Sequence, residues 1–242
     1  MPTRSDANQT SPSQPVVFCD FDGTITQVDV TDQILSQFAH PSWREIEQEW
    51  VRGVIGSREC LERQLALVEA SPEELDALID AVPVDPDFLS FYRFLKRHAI
   101  SLYVVSDGFD YVIRRVLLRT GVDGDLRNGK RLFSSALRVE GRHLHLSFPF
   151  SPEPCAHGCA TCKAEIIRRV APAQHPVIFI GDGLSDRFAL ERANLVFAKR
   201  QLLAFCREKG ISCHSFETFR DIEAVLGGEL GPPPSAQDDG GA

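Results

Sequence analysis

Residues 16–26 read Val-Val-Phe-Cys-Asp-Phe-Asp-Gly-Thr-Ile-Thr. Four strand-forming residues run straight into two carboxylates, Asp20 and Asp22, before Gly23 and Thr24 break the run. β-Branched and aromatic residues favour a pleated, buried strand. The pattern therefore predicts a core strand with a bare carboxylate at its C-terminal tip, the end at which open α/β sheets bind ligands. An Asp in that position can act as a nucleophile or as a metal ligand.

Bulk composition narrows the classes. The 242 residues suffice for one large domain or one domain with a smaller insert, and 43% hydrophobic content supports a packed core. A formal net charge of −8 argues against nucleic-acid binding, which calls for a basic surplus. No apolar run approaches the roughly 20 residues of a membrane span, so no membrane partner is expected. The first fourteen residues are polar and lack the apolar stretch of a secretory signal. Seven cysteines, an odd number, include Cys19 inside the predicted core strand; this fits a reducing cytoplasm better than a disulfide scaffold.

Along the chain, 1–14 and 227–242 read as disordered tails, rich in Ser and Pro or in Gly and Pro. From about 30 to 82 the pattern is helical. Ser42 with Glu45 predicts a capping box, and Ser71-Pro72-Glu73-Glu74 a second helix start. From Asp85 onward helices and strands alternate. Strands are predicted at Ser101–Val105, Val177–Ile180 and Leu195–Phe197, with a hairpin across Leu137–Phe148 and a helix beginning at Lys163. Such alternation predicts an α/β fold, a Rossmann-like parallel sheet flanked by helices. The core would comprise 15–26 and 85–226, with 27–84 as a small all-helical cap inserted after the first strand.

Three predicted strand ends carry small, polar turns: Asp20 to Thr24, Ser106-Asp107-Gly108, and Gly181-Asp182-Gly183 continuing to Asp186. In a parallel sheet these tips converge on one crevice. Two carboxylates about 4 Å apart repel by about 4 kcal/mol at an effective dielectric near 20, so Asp20 and Asp182 need a cation between them. A hard, oxygen-seeking divalent ion suits the donors, and Mg²⁺ is the usual one beside phosphate. Lys163 adds a fixed positive charge. It stands at a predicted helix start, a poor place for a cation without a functional reason. Asp186, in contrast, would also be favourable there as an ordinary first-turn acid. The set suits phosphoryl transfer, which depends on positioning and charge stabilisation.

These four segments, in this order, resemble the motifs of the haloacid-dehalogenase-like superfamily of phosphatases: Asp20-Phe21-Asp22-Gly23-Thr24, Ser106, Lys163, and Gly181-Asp182 with Asp186. The resemblance covers about residues 16–225. It implies a phosphatase in which Asp20 is the nucleophile and Asp22 the general acid and base. Lys163 would screen the transferred group, and Thr24, Ser106, Asp107 and Gly108 would surround the phosphate. Mg²⁺ would be held by Asp20, Asp22, Asp182 and Asp186. The partner implied is a small phosphorylated metabolite; a homodimer is left open. A non-catalytic phospho-ligand-binding protein is the rival from another class, and a phosphotransferase or dehalogenase the rival on the same scaffold.

The helical insert is similar to that of the phosphoserine-phosphatase-like branch. Asp29 stands where that branch usually has a Glu that reads the substrate amine, and Arg63 matches its cap arginine, so both are candidates for substrate contact. The run Pro154-Cys155-Ala156-His157-Gly158-Cys159-Ala160-Thr161-Cys162-Lys163 resembles the approach to the motif lysine in 2-hydroxy-3-keto-5-methylthiopentenyl-1-phosphate phosphatases of methionine salvage. Phosphoserine and phosphoethanolamine/phosphocholine phosphatases are the alternatives. A tetrahedral zinc site usually takes two ligand pairs from separated segments. Cys155, Cys159, Cys162 and His157 all fall within eight residues, so a tight reduced loop positioning Lys163 is the expectation.

Overall fold

A computed structural model describes residues 14–127 and 129–231. The expected tails at 1–13 and 232–242 lie outside the described residues. Strand β1 (Val16–Cys19) is followed by four helices, α1 (Val30–Phe38), α2 (Trp43–Val51), α3 (Ser57–Leu65) and α4 (Pro72–Ala81). The chain continues through α5 (Phe88–Arg97), β2 (Ser101–Phe109), α6 (Asp110–Thr120), α7 (Gly124–Arg127) and the hairpin β3 (Leu132–Glu140) and β4 (His143–Ser147). Then come α8 (Lys163–Val170), β5 (Val177–Gly181), a 3-10 helix (Leu184–Arg192), β6 (Leu195–Ala198), α9 (Arg200–Lys209), β7 (His214–Ser215) and α10 (Phe219–Leu230).

The strands form one seven-stranded sheet in the order β4-β3-β2-β1-β5-β6-β7. All neighbours are parallel except β3 and β4. In β1, side chains alternate between faces with a period of two. Val17 and Cys19 enter a core with Leu102, Val104, Ile178 and Ile180, while Val16 and Phe18 enter a second core with Phe179 and Val196. Helices α5, α6 and α10 cover the first face; α8, α9 and the 3-10 helix cover the second. An apolar run without alternation is what a strand covered on both sides requires.

Three details differ from the sequence reading. Ser42 does not cap α2: its backbone is already helical (φ −63°, ψ −9°), which turns its hydroxyl away from the amides of the first turn. It pairs instead with His40 Nδ1 at 2.9 Å. The Ser71 box does form, with Glu74 N donating to Ser71 Oγ and Ser71 N to Glu74 Oε2. At the other end, α10 runs to Leu230, into the stretch read as a tail from Gly227. Phe219, Ile222 and Leu226 are buried and anchor that helix, so its last turn persists despite Gly227 and Gly228. Helix α9 and strand β7 were not anticipated.

Candidate active site

The sheet register creates the site. Cys19 pairs with both Val104 and Ile180, so Asp20 comes level with Val105 of β2 and Gly181 of β5, one residue before Ser106 and Asp182. Asp20 N donates to Ile180 O at 2.9 Å, carrying the ladder to the carboxylate itself. The β2–β3 pairing is irregular between Val105 and Phe109, and Ser106, Asp107 and Gly108 occupy that irregularity.

Asp20, Asp182 and Asp186 are buried, with carboxylate oxygens within 4.8 Å of one another. Lys163, at the first turn of α8 and 2% exposed, donates to Asp20 Oδ1 at 2.8 Å and to Asp186 Oδ1 at 2.5 Å. Asp186 Oδ2 accepts from the amides of Asp182 and Gly183, both at 3.1 Å. Its two oxygens are thus committed to shaping the loop and orienting Lys163. Thr24 is buried and donates to Asp182 Oδ1 at 3.0 Å; it stands behind this carboxylate instead of facing an incoming phosphate.

Burial and the neighbouring Asp20 push the Asp182 carboxyl up to about 6, against the pull of Thr24 and Arg200. Burial also raises Asp22 well above the ordinary range, helped by Asp29 and Asp20 and opposed by the Val30 amide. That amide donates to Asp22 Oδ1 at 3.1 Å. For Lys163, burial works against the charge, but Asp186 and Asp20 outweigh it and hold the ammonium well above its ordinary value.

A cavity of about 270 Å³ opens over these tips, beneath α1–α3. Asp20, Asp22, Ser106, Asp107, Gly108 and Asp182 line its floor, and Asp29 its wall. A Cβ on Gly108 would lie 2.2 Å from Asp22 Oδ2, so any side chain there would displace the Asp22 carboxylate. Gly23 adopts φ +68°, and its Cβ would fall 2.3 Å from Asp182 Oδ2. Ser106 Oγ accepts from Gly108 N at 3.0 Å, and Asp107 Oδ1 accepts from Thr161 N at 2.9 Å. Asp29 is the N-cap of α1, accepting from Asp32 N at 2.9 Å, with its carboxylate on the cavity.

Arg63 does not join the site. Its guanidinium grips Glu49 at 2.6 and 2.9 Å and approaches Glu59 at 3.4 Å, and it is not part of the cavity wall. Helical spacing placed Arg63 on α3 but could not say which way that helix turns. Sequence reasoning missed Arg200, whose Nη1 lies 3.2 Å from Asp182 Oδ2 while Nη2 donates to Gln27 O at 2.7 Å. It also missed Ser185, 3.4 Å from Lys163 Nζ. The available signal for Arg200 was a pair of cations, Lys199 and Arg200, following the β6 tip.

The fold, with carboxylates at the tips of neighbouring parallel strands and a buried lysine between two of them, defines a class, and the chain belongs to it: the haloacid dehalogenase-like hydrolases, whose family model matches residues 17–191. Its relatives include phosphatases, and the protein is a phosphoric monoester hydrolase. The 2-hydroxy-3-keto-5-methylthiopentenyl-1-phosphate phosphatase of Bacillus velezensis is 30% identical over 216 residues, covering 88% of this chain and 89% of that protein. The enzyme of the same name from Lysinibacillus sphaericus is 32% identical over 220 residues, covering 88% and 94%. A solved phosphoserine phosphatase, captured as a phospho-aspartyl intermediate analogue, shares the fold with a TM-score of 0.68 at 20% identity, covering 88% of this chain and 99% of that one.

Proposed function

We propose that the protein is a Mg²⁺-dependent phosphomonoesterase that works through an aspartyl-phosphate on Asp20. Its substrate is a small phosphorylated metabolite of the 2-hydroxy-3-keto-5-methylthiopentenyl-1-phosphate type, as for the relatives. The observation that carries this reading is the meeting of Asp20, Asp182, Asp186 and Lys163 at the cavity floor. The helices of 27–84 act as the cap that encloses the substrate.

Lys163 holds Asp20 Oδ1, which leaves the other carboxylate oxygen for attack. That attack makes the bond from Asp20 to phosphorus and breaks the ester P–O bond. Asp22, whose carboxyl is pushed up by burial and by its acidic neighbours, acts as the general acid that gives its proton to the leaving oxygen. Water then attacks the same phosphorus, Asp22 takes up its proton, and Asp20 is regenerated as inorganic phosphate leaves. Ser106 and the adjoining backbone orient the phosphoryl oxygens. Asp20 and Asp182, with Asp186 behind them, are a hard-oxygen set suited to Mg²⁺. When bound, the ion supplies charge neutralisation and Lewis-acid polarisation.

One observation favours a second reading of the substrate. Asp29, Asp32, Glu47 and Trp50 line the cavity wall, an anionic and aromatic surround that suits a cationic ammonium group, as in phosphoethanolamine or phosphocholine. The seven cysteines are unpaired, which supports a reducing, cytoplasmic setting. No helix among the described residues is long and apolar enough to cross a membrane.

The test is hydrolysis of an aryl phosphate by the wild type and by Asp20→Asn. The variant is expected to fold normally and show no turnover, and chelation is expected to abolish wild-type activity until Mg²⁺ is restored. Normal turnover by Asp20→Asn would remove the nucleophile from the scheme. A panel of phosphorylated metabolites, compared by kcat/KM, then decides between the keto-pentenyl and amine substrates.

A further inference from the structure

Between β4 and α8 the chain makes a loop in which Cys155, Cys159 and Cys162 turn their sulfurs inward, all within 4.8 Å of one another. We propose that these three thiolates form a second metal site, distinct from the acidic one, that takes a single thiophilic divalent cation of the Zn²⁺ type. The sequence alone argued against this, because zinc ligands usually come as pairs from separate segments. The folded loop removes that objection by bringing the three sulfurs together from one segment.

Size decides what the site takes. Three sulfurs at about 2.3 Å from one tetrahedral ion lie about 3.8 Å apart, and the observed sulfurs all lie within 4.8 Å of one another. His157 belongs to the same segment but stacks on Phe188, 3.7 Å between ring centroids, so the fourth position falls to solvent or an added ligand. Cys155 is half-exposed and offers the entry path, while Cys159 and Cys162 are buried.

A second, independent observation concerns the backbone. Cys159 N lies 3.5 Å from Cys155 Sγ, the His157 amide is directed at the same sulfur, and the Glu165 amide is directed at Cys162 from the first turn of α8. Amides aimed at sulfur stabilise thiolate over thiol. Burial opposes ionisation of Cys155, yet these contacts hold it below the ordinary thiol range. Burial keeps Cys159 and Cys162 above that range while they are metal-free. Metal ligation takes the thiolate form, so binding releases thiol protons and affinity rises with pH.

The loop's position gives the site a consequence. Gly158 O accepts from Arg58 N at 3.0 Å and Ala160 N donates to Ser57 Oγ at 2.9 Å, both at the start of α3. Thr161 N holds Asp107, and Lys163 follows directly. A metal here ties the start of α3 to the segment that positions the buried lysine.

The experiment uses Co²⁺ as a spectroscopic probe on the full-length, reduced protein, with excess Mg²⁺ present to occupy the carboxylates. The expected result is uptake of one Co²⁺ per chain, with a thiolate-to-cobalt charge-transfer band and tetrahedral visible bands. Equimolar Zn²⁺ abolishes them, and Cys155→Ser loses the charge-transfer intensity or shifts it. Because Cys159→Ser and Cys162→Ser alter buried side chains of the loop, the wild-type spectrum and the half-exposed Cys155 variant carry the test. Absence of the band in the wild type, a band unchanged in Cys155→Ser, or isolation of the protein with two of these sulfurs joined as a disulfide and no bound metal would each overturn the proposal.

Discussion

Asp182 is a buried carboxylate with both oxygens already engaged, one by Thr24 and one by Arg200, and its carboxyl is still pushed up to about 6. Its folded pKa exceeds its unfolded value, so between about pH 4 and 6 the folded state holds a proton that the unfolded state has released. Stability of the metal-free protein therefore falls as pH rises through that window. The penalty is absent below it and complete above it, at about 3 kcal/mol for this one group. Mg²⁺ held by this carboxylate, as proposed above, would offset that penalty. Its stabilising shift in thermal unfolding is expected to be large at pH 8 and small at pH 5. Asp182→Asn should make the metal-free protein more stable at pH 8 and remove most of the Mg²⁺ shift. An equal Mg²⁺ effect at both pH values would mean that the ion does not bind through this carboxylate.

At the scale of elements, α3 meets the loop before α8 through close backbone contact. Gly56, just before α3, lies against Gly158 of the cysteine loop, and a Cβ on Gly56 would come within 2.3 Å of Gly158 O. Backbone on both sides leaves no soft side chain to give way. Gly56→Ala is expected to cost about 1–3 kcal/mol as an overpacking change and to lower kcat by displacing the segment that carries Lys163. Measuring unfolding and turnover together checks it; unchanged values of both would show that the two backbones separate freely. Arg63, on the same helix, gives the contrasting case. It is paired with Glu49 at the surface, so Arg63→Ala should leave KM and kcat at wild-type values. A large rise in KM would mean that α3 reorients to bring this arginine over the cavity.

For the whole molecule, α5 and α10, far along the chain from one another, pack together on one face of the sheet. Phe219 stands at their contact, with its ring 5.2 Å from Phe88 and 5.1 Å from Phe91. Phe219 is fully buried and lies outside the cavity wall. Phe219→Ala should cost about 3–5 kcal/mol of stability while leaving kcat unchanged well below the unfolding transition. Denaturant unfolding and steady-state kinetics on the same sample separate the two effects. Loss of kcat without loss of stability would show that α10 communicates with the site.

Local residue types and their spacing were enough to place Asp20, Asp22, Asp182 and Lys163 at element ends, because strand and helix signals act over a few neighbours. The same locality explains the Ser71 capping box and the turn after Glu140. Everything that depended on direction across space required the folded chain. Arg63 turned toward Glu49, Thr24 settled behind Asp182, Arg200 reached that carboxylate from the far side, and three cysteines of one loop converged. Helix α10 survived its glycines because aromatic packing from α5, remote in sequence, outweighs weak local propensity. Propensity and spacing set which groups stand at the end of each element. Which of them face one another is decided by packing free energy summed over contacts between segments far apart in the chain.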